Sequence, residues 1–304
     1  MDGIVNVNKA YGVSSHGVVQ EVRRLFSYTK AGHSGTLDPM ATGVLPVCLG
    51  RATRVAEYMI ELPKVYHASV VFGKTTDTED ATGKILQTKA VPMLERGQIE
   101  KILSSFIGKI EQLPPLYSAV KYKGKALYKW TRLGEEVPRK VRTALIYSIQ
   151  VSGFDLNREP HLVFDVECSR GTYIRTLAAD LGEKIGCGAH LSGLVRLAVG
   201  PYKLENAYTI EELADLADSG CLETAIQPID SALIQLPQLA LSNDQIEALK
   251  QGKLIEYDQF EDLEQIRTDA PIRVYDEQGV FKAIACFVKK ENIKGLKTVK
   301  YLSA

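Results

Sequence analysis

Residues 32–45 read GHSGTLDPMATGVL, and this stretch is the most informative part of the chain. Its three glycines allow positive φ angles or close backbone approach, and Pro39 fixes its own φ. The turn therefore holds the carboxylate of Asp38 on a stiff backbone, although an aspartate before a proline often does no more than cap a turn. Neither common glycine-rich nucleotide-binding pattern is present, so the loop does not predict a nucleotide site.

The segments around this loop alternate between strand-like and helix-like patterns. Apolar or alternating runs predict strands, apolar residues at helical spacing predict helices, and the polar stretches 31–42 and 75–83 predict loops. We expect strands at 4–7, 44–49, 65–72, 145–154, 162–168, 272–275 and 280–287, and helices at about 15–26, 52–60, 99–106, 175–185 and 242–249. This order predicts an α+β fold: a mixed, largely antiparallel sheet flanked by helices, followed by a small β-rich domain.

The composition excludes several classes of protein. Hydrophobic residues make up 45% of the 304 residues and charged residues 24%, which is typical of a folded globular chain. There is no apolar run of membrane-spanning length and no signal-peptide pattern at the start, so we expect a cytoplasmic protein without membrane contact. The five cysteines are scattered and the five histidines form no metal-binding spacing, which predicts reduced thiols and no metal site.

The basic residues are concentrated in one segment. From Lys121 to Arg142 there are eight Lys or Arg residues and two Glu residues, although the net charge of the chain is zero. A local field acts within about 10 Å at moderate salt, so such a segment can bind phosphates even in a neutral protein. A charge run is nevertheless more often a solvated face. The segment has too few apolar residues to form a core, which predicts a mobile insertion or one ordered by RNA.

The chain resembles a known family at several ordered positions. The loop at 32–45 closely resembles the catalytic motif of the TruB-type tRNA pseudouridine synthases. Further matching segments follow in the family's order: LGRATR at 49–54, KVY at 64–66, GKTTDTED at 73–80, QLPPLYSA at 112–119, GTYIRTL at 171–177 and GAHL at 188–191. The similarity covers residues 1–230 well and the C-terminal part more loosely.

This resemblance implies a fold, a reaction and a partner. The fold would be the pseudouridine synthase fold, with a catalytic domain at 1–230 and a PUA-like RNA-binding domain at 231–304. The reaction would convert uridine to pseudouridine at position 55 in the T-loop of tRNA, without a cofactor or a metal. The partner would be the T-arm of tRNA, and no obligate protein partner is evident. The acidic stretch at 256–269 would not attract RNA, so contact by that domain would use other faces.

The resemblance also implies roles for three catalytic residues. Asp38 would act on the bond between ribose and base, either by taking a proton from the ribose or by covalent attack, and the sequence leaves both routes open. Tyr66 would stack on the flipped uracil and help to move the proton at C5. Arg175 would pair with Asp38 and hold it ionised. On spacing alone, Tyr66 is equally a core residue of a strand and Arg175 an ordinary residue in the first turn of a helix.

Other residues would contact the substrate. Tyr173 and Leu194 match positions that line the uracil pocket, His33 would keep the target nucleotide out of the stack, Asp80 would order the site or contact RNA, and Lys9 would lie near the RNA or the site loop. The basic segment, about 112–143, would be a thumb-like insertion that closes on the T-arm, with aromatic residues supplying stacking surface. Its phosphate contacts would be Lys121, Lys123, Lys125, Lys129, Arg132, Arg139, Lys140 and Arg142.

Two rival functions remain. A non-catalytic RNA-binding or RNA-folding protein could use the same scaffold, although the presence of Asp38 disfavours it. A relative that acts on a non-tRNA target under RNA guidance is the second rival, and such relatives usually carry lysine-rich terminal segments. A hydrolase or a phosphate-transfer enzyme fits less well, because the chain has neither a metal nor a nucleotide motif.

Overall fold

The computed structural model describes residues 2–135, 137–155, 160–256, 258, 260, 270–290 and 293–303. The α-helices in this part are α1 (Ser15–Leu25), α2 (Ala56–Glu61), α3 (Arg96–Ser104), α4 (Leu127–Thr131), α5 (Ile174–Ile185), α6 (Ile210–Asp218) and α7 (Asn243–Lys250). Short 3-10 helices cover Gly50–Val55, Leu204–Asn206, Leu222–Ala225 and Ile229–Leu233.

The strands belong to one large sheet, one smaller sheet and two hairpins. Those of the large sheet are β1 (Gly3–Lys9), β2 (Ala31–His33), β3 (Thr42–Leu49), β4 (Lys64–Phe72), β7 (Gly108–Gln112), β10 (Arg142–Asp155), β11 (His161–Cys168), β12 (Ala189–Val199), β13 (Tyr202–Lys203) and β14 (Ile226–Gln227). The hairpins pair β5 (Lys74–Thr76) with β6 (Ile85–Thr88), and β8 (Lys121–Tyr122) with β9 (Lys125–Ala126). The smaller sheet contains β15 (Gln238–Ala240), β16 (Ile255–Glu256), β17 (Pro271–Tyr275), β18 (Phe281–Lys290) and β19 (Ile293–Tyr301).

The large sheet is mixed and mostly antiparallel, as the sequence predicts. Its order is β14-β1-β3-β12-β4-β11-β10-β7, with β13 beside β12 and β2 beside β3. The pair of β3 and β12 is parallel, and the other pairs in the described part of this sheet are antiparallel. The sequence does not predict β12 as a strand, although β12 lies at the centre of the sheet and joins the half that carries β3 to the half that carries β4.

A close backbone contact locks β12 to β3. Gly43 has φ +100, and a Cβ atom there would lie 2.3 Å from the carbonyl oxygen of Arg196. Glycine is therefore required for the two strands to approach. The contact also places the end of the residue 32–45 loop beside the middle of β12.

The helices cover the sheet with their apolar sides. Leu177 and Leu181 of α5 pack in one buried cluster with Phe164 of β11 and Leu191 of β12. Gly186 ends α5 with φ 90, which agrees with the helix stop predicted from the sequence. Packing of α5 against β12 fixes the start of this helix, where Arg175 lies, over the central strands.

The second sheet packs against α2 and the 3-10 helix Ile229–Leu233. Its order is β15-β17-β18-β19-β16, and it confirms the small C-terminal β-rich region expected from the sequence. Ile284 and Leu302 share a buried cluster with Met59 of α2, and the hydroxyl of Tyr275 donates to the Asp230 carboxylate at 2.8 Å. Most of the predicted acidic stretch at 256–269 lies outside the described residues.

Some predicted elements have different forms in the structure. The predicted helix at 52–60 is a 3-10 helix, Gly50–Val55, followed by the short α2. The hydroxyl of Thr53 donates to the carbonyl of Gly50 at 2.7 Å, and such local bonds compete with a regular α-helix. The predicted loops at 31–42 and 75–83 contain β2 and the end of β5. None of the helices in the described ranges is long and apolar enough to cross a membrane.

The basic segment is more structured than the sequence predicts. It forms the β8-β9 hairpin followed by α4, and Leu127 is only 1% exposed. The indole nitrogen of Trp130 donates to the carbonyls of Tyr122 at 3.2 Å and Lys125 at 3.3 Å. Trp130 packs on its own hairpin and gives this segment a small core. A count of aliphatic residues does not include it, so the sequence predicted no core here.

Candidate active site

A cavity of about 520 Å³ opens between the residue 32–45 loop, the central strands and the start of α5. Its charged lining is one carboxylate, Asp38, and five basic residues: Lys64, Arg142, Arg170, Arg175 and Arg196. Aromatic and aliphatic side chains complete the wall. A cavity with this balance favours an anionic ligand, although the net charge of the whole chain is zero.

The loop that carries Asp38 is held from two sides. The hydroxyl of Ser15, at the start of α1, accepts from the amide of Leu37 at 2.8 Å and donates to its carbonyl at 3.0 Å. The buried ammonium of Lys9 donates to the carbonyls of Val13 at 2.7 Å and Pro39 at 3.2 Å. These contacts on both flanks of Asp38 keep the turn in one conformation, which favours a functional role over a simple turn cap.

Arg175 joins Asp38 to the rest of the site. Its Nε lies 3.0 Å from Asp38 Oδ2, so the predicted ion pair is present. The same guanidinium donates to the carbonyls of Thr78 at 3.0 Å and Tyr117 at 2.8 Å, and it lies 3.6 Å from Asp80. With a side chain only 5% exposed, Arg175 is a buried and well-anchored partner for the carboxylate.

The pKa of Asp38 differs in direction from the one expected. Burial raises the pKa of Asp38 above its ordinary value, and the opposing effect of Arg175 is smaller. The expectation that Arg175 holds this carboxylate ionised is therefore too simple. Arg175 does lower the pKa of Asp38, but the cavity favours the protonated form more strongly than water does.

Three predicted residues form the walls around Asp38. Tyr66 on β4 and Leu194 on β12 line the cavity, and so does Tyr173, which precedes α5. The side chain of Gln112 makes two hydrogen bonds to the backbone of Tyr173: it accepts from the amide at 2.9 Å and donates to the carbonyl at 3.1 Å. Burial raises the pKa of both tyrosines, so they are neutral near pH 7.

Three other predicted residues lie outside the cavity lining. The side chain of Asp80 is 5% exposed, and its carboxylate accepts from the hydroxyls of Thr78 and Thr82 and faces Arg175. Lys9 is fully buried and bonded to the loop backbone. His33 ends β2, and its Nδ1 accepts from the amide of Gly35 at 3.2 Å. In this structure, these side chains support the loop and Arg175.

Three basic residues of the lining were not predicted from the sequence: Lys64, Arg170 and Arg196. Arg196 is 1% exposed, and Lys64 is also buried, with its pKa lowered to about 8 by burial and by the charge of Arg196. Both lie two residues from predicted wall residues, Lys64 from Tyr66 and Arg196 from Leu194. Residues i and i+2 of a strand point to the same face, so strand alternation would have found both.

The basic segment lies at the mouth of the cavity. Arg142 belongs to the lining, the Arg139 guanidinium donates to the carbonyl of Pro114 at 2.9 Å, and the Lys125 ammonium lies 4.4 Å from the centre of the Trp130 ring. Lys125 and Arg139 are thus half-buried structural contacts. The other six predicted phosphate contacts have exposed side chains: Lys121, Lys123, Lys129, Arg132, Lys140 and Arg142.

Comparison with known proteins gives consistent matches. Residues 23–174 match the family described as TruB family pseudouridylate synthase (N terminal domain), and residues 175–234 match the tRNA pseudouridylate synthase B C-terminal domain. The tRNA pseudouridine synthase B of Geobacillus thermodenitrificans is 41% identical over 297 residues, which cover 95% of each chain. That of Geobacter sulfurreducens is 44% identical over 252 residues, covering 83% of this chain and 82% of the relative.

Solved structures show the same fold. A chain in the crystal structure of a Cbf5-Nop10-Gar1 complex superposes with a TM-score of 0.75 at 26% identity, covering 99% of this chain and 85% of the other. A chain of an H/ACA RNP bound to a substrate RNA containing 2'-deoxyuridine superposes with a TM-score of 0.74 at 24% identity, covering 99% and 85%. Together with the sequence matches, which span the Asp38 loop and the start of α5, these likenesses establish that the chain is a member of the TruB family of pseudouridylate synthases.

Proposed function

We propose that this protein isomerises uridine to pseudouridine at position 55 in the T-loop of tRNA, with Asp38 as the central catalytic group. The observation that carries the proposal is the single carboxylate of the cavity, anchored by Arg175 and surrounded by an otherwise basic and aromatic wall. The close relatives named tRNA pseudouridine synthase B support tRNA as the substrate.

The reaction moves the bond to C1′ of the ribose from N1 of uracil to C5. Asp38 acts either by taking a proton from the ribose, which assists cleavage of the N1 bond, or by attacking covalently, and both routes need its ionised form. Tyr66 and Tyr173 offer aromatic surface to the flipped base, and Leu194 fills the wall between the strands. The reaction is an internal rearrangement without oxidation or hydrolysis, so its chemistry requires no cofactor.

We assign separate tasks to the two parts of the chain. Residues 1–230 would form the catalytic domain and residues 231–304 a PUA-like RNA-binding domain. The exposed lysines and arginines of the basic segment would contact the phosphates of the T-arm, and Arg142 would connect these contacts to the cavity. Half-buried Lys125 and Arg139 would stabilise the segment itself. His33, Lys9 and Asp80 would act by holding the site in shape, and the protein would work in the cytoplasm.

The second candidate is an RNA-binding or RNA-folding protein without catalysis. The basic segment would serve that function equally well, whereas the anchoring of Asp38 by Arg175 would not be needed for it. A form that acts under RNA guidance is a further alternative, suggested by the H/ACA RNP among the similar structures. Both alternatives differ from the proposal in what the isolated protein does to a bare tRNA transcript.

The test is incubation of the purified protein with an unmodified tRNA transcript, followed by mapping of pseudouridine at single-nucleotide resolution. Asp38→Asn keeps the shape of the side chain and removes its charge, and Asp218→Asn at the exposed end of α6 is the matched control. We expect pseudouridine at position 55 with the wild type and the control, and none with Asp38→Asn. Binding of the transcript without any modified uridine would favour the RNA-binding candidate.

A further inference from the structure

Arg196 connects three elements of the site from a fully buried position. Its Nε donates to the carbonyl of Val44 on β3 at 2.7 Å, and its Nη2 donates to the carbonyl of Gly35 in the catalytic loop at 3.1 Å. On β4, Tyr66 is the register partner of Arg196, and the charge of Arg196 lowers the pKa of the Tyr66 phenol. Arg196 is also part of the cavity lining.

The charge of Arg196 is not balanced by a nearby acid. Within the described residues, no carboxylate oxygen lies within 4.0 Å of its guanidinium, in contrast to Arg175, which faces two carboxylates. Its nearest titratable neighbours include Lys9, Lys64 and His33, and the charge of Arg196 adds to burial in lowering the pKa of each. A buried cation among other basic groups costs folding free energy, so a functional reason for its retention is expected.

We propose that Arg196 is a positioning residue for the reaction: from the strand beside Tyr66, in the same cavity lining, its guanidinium supplies the positive charge that lets the Tyr66 oxygen accept the proton released from C5 of uracil. The inference rests on the proposed function and deepens it. It separates the two arginines by task, because Arg175 serves the Asp38 carboxylate and Arg196 serves the Tyr66 phenol.

The proton balance of the step is as follows. When the bond from C5 to C1′ has formed, C5 still carries its hydrogen. The Tyr66 oxygen takes this proton after giving its own to solvent, and the electron pair of the C–H bond restores the C5–C6 double bond. N1, which lost its bond to ribose, takes up one proton from solvent. One proton is released and one is bound, so the product is an isomer of the substrate.

The titratable groups that act on the pKa of Tyr66 come from three elements. Arg196 from β12 lowers the pKa of Tyr66, whereas Cys168 from β11 and Asp38 from the loop raise it, and burial raises it most. Arg196 is thus the main group in this set that favours the deprotonated oxygen. Without it, the same oxygen would lose its proton only at a higher pH.

The experiment uses four variants of the full chain: Arg196→Met, Arg196→Lys, Tyr66→Phe and the double variant Arg196→Met/Tyr66→Phe. Single-turnover rates of pseudouridine formation are measured on the tRNA transcript from pH 6.5 to pH 9, with transcript affinity and thermal unfolding in parallel. Arg273→Met is the matched control, because Arg273 of β17 also donates to a carbonyl, that of Leu236 at 3.0 Å, and to a tyrosine hydroxyl, that of Tyr275 at 3.2 Å.

The proposal predicts the following results. Arg196→Met lowers the rate about 10- to 100-fold at pH 7, the size of a lost charged hydrogen bond, with tRNA affinity nearly unchanged. The wild-type and Arg196→Met rates rise together with pH, because burial holds the pKa of Tyr66 above its ordinary value, and Arg196→Lys recovers part of the rate because it keeps the charge. In the Tyr66→Phe background, Arg196→Met has little further effect, since the group through which it acts is absent. Arg273→Met leaves the rate unchanged.

Other results overturn the inference. If Arg196→Met lowers the rate equally in the Tyr66→Phe background and Arg196→Lys recovers none of it, Arg196 acts through the Val44 and Gly35 contacts alone. If the rate of Tyr66→Phe is too low to measure, the recovery of the rate by lysine decides. A wild-type protein that forms no pseudouridine would instead remove the proposed function, so the two failures are distinguishable.

Discussion

Replacing Arg175 by methionine should lower the rate of pseudouridine formation more at acidic pH than at alkaline pH. The guanidinium makes one ion pair with Asp38 at 3.0 Å and donates to two backbone carbonyls, those of Thr78 and Tyr117. Methionine keeps a long unbranched side chain and removes the charge and all the donors. Asp38 then remains in a cavity that already raises its pKa, without the main group that lowers it.

The expected size follows from the geometry. With charge centres about 4 Å apart and an effective dielectric constant near 20, the attraction between Asp38 and Arg175 is about 4 kcal/mol. The Asp38 side chain is 37% exposed, so we take about half of this, ~2 kcal/mol, to allow for solvent screening. This corresponds to about a 30-fold change in an equilibrium constant. In the proposed reaction the ionised carboxylate is the reactive form, so the deficit should grow as the pH falls from 9 to 5.5, by at most about 30-fold.

The assay is the single-turnover rate of pseudouridine formation between pH 5.5 and pH 9, at a temperature well below the unfolding transition of the variant. Loss of a buried ion-pair partner should also cost about 3 kcal/mol of stability. Arg96→Met removes an exposed pair with Glu100 on α3 and serves as the control, with an expected stability loss under about 1 kcal/mol. A deficit of Arg175→Met that is constant over the whole pH range would refute the electrostatic reasoning and leave Arg175 a purely structural role.

Three further predictions concern separate contacts. Burial lowers the pKa of Lys64 to about 8, so above pH 8 the unfolded chain holds a proton that the folded chain has released. The free energy of unfolding should therefore rise from pH 8 to pH 9. Urea unfolding of Lys64→Met should show a smaller rise over the same range. Gln112→Leu removes both hydrogen bonds to the Tyr173 backbone and should lower the rate of pseudouridine formation about 10-fold with tRNA affinity unchanged. An unaltered rate would show that these two hydrogen bonds are not needed for the reaction. Lys129→Ala should reduce the slope of log affinity against log salt by about 0.7–0.9, and exposed Lys101→Ala on α3 should leave that slope unchanged in the same titration.

Much of the framework is readable from local sequence. Alternating apolar residues predict β4 and β11, and the glycine that ends α5 marks its terminus within a residue. The pairing of Asp38 with Arg175 is different, because the two residues are 137 positions apart. It was predicted from the resemblance to a family, and no periodicity or spacing in the chain contains that information.

The features that were not predicted from the sequence depend on which side chains the tertiary structure buries. Arg196 lies on β12, which was not predicted from the sequence, and Lys64 lies just before the strand predicted at 65–72. The charge of both residues argues for solvent, whereas the fold buries both against backbone carbonyls. The order of the basic segment was missed for a related reason. Its core is the Trp130 indole bonded to two carbonyls of its own hairpin, and one aromatic residue counts little in a sum of hydrophobicity.

The distribution of charge in the site connects folding to function. Lys9, Lys64 and Arg196 are buried around a cavity with a single carboxylate, and burial lowers the pKa of both lysines to about 8. Each of these charges is unfavourable for folding, because it leaves water without an acidic partner in the described residues within ion-pair distance. A substrate that brings its own negative charge would change this balance. Bound RNA would supply phosphates at the mouth, and a uracil that separates from ribose would carry negative charge on the floor, so the cost imposed on the free protein would be offset when the reacting complex forms.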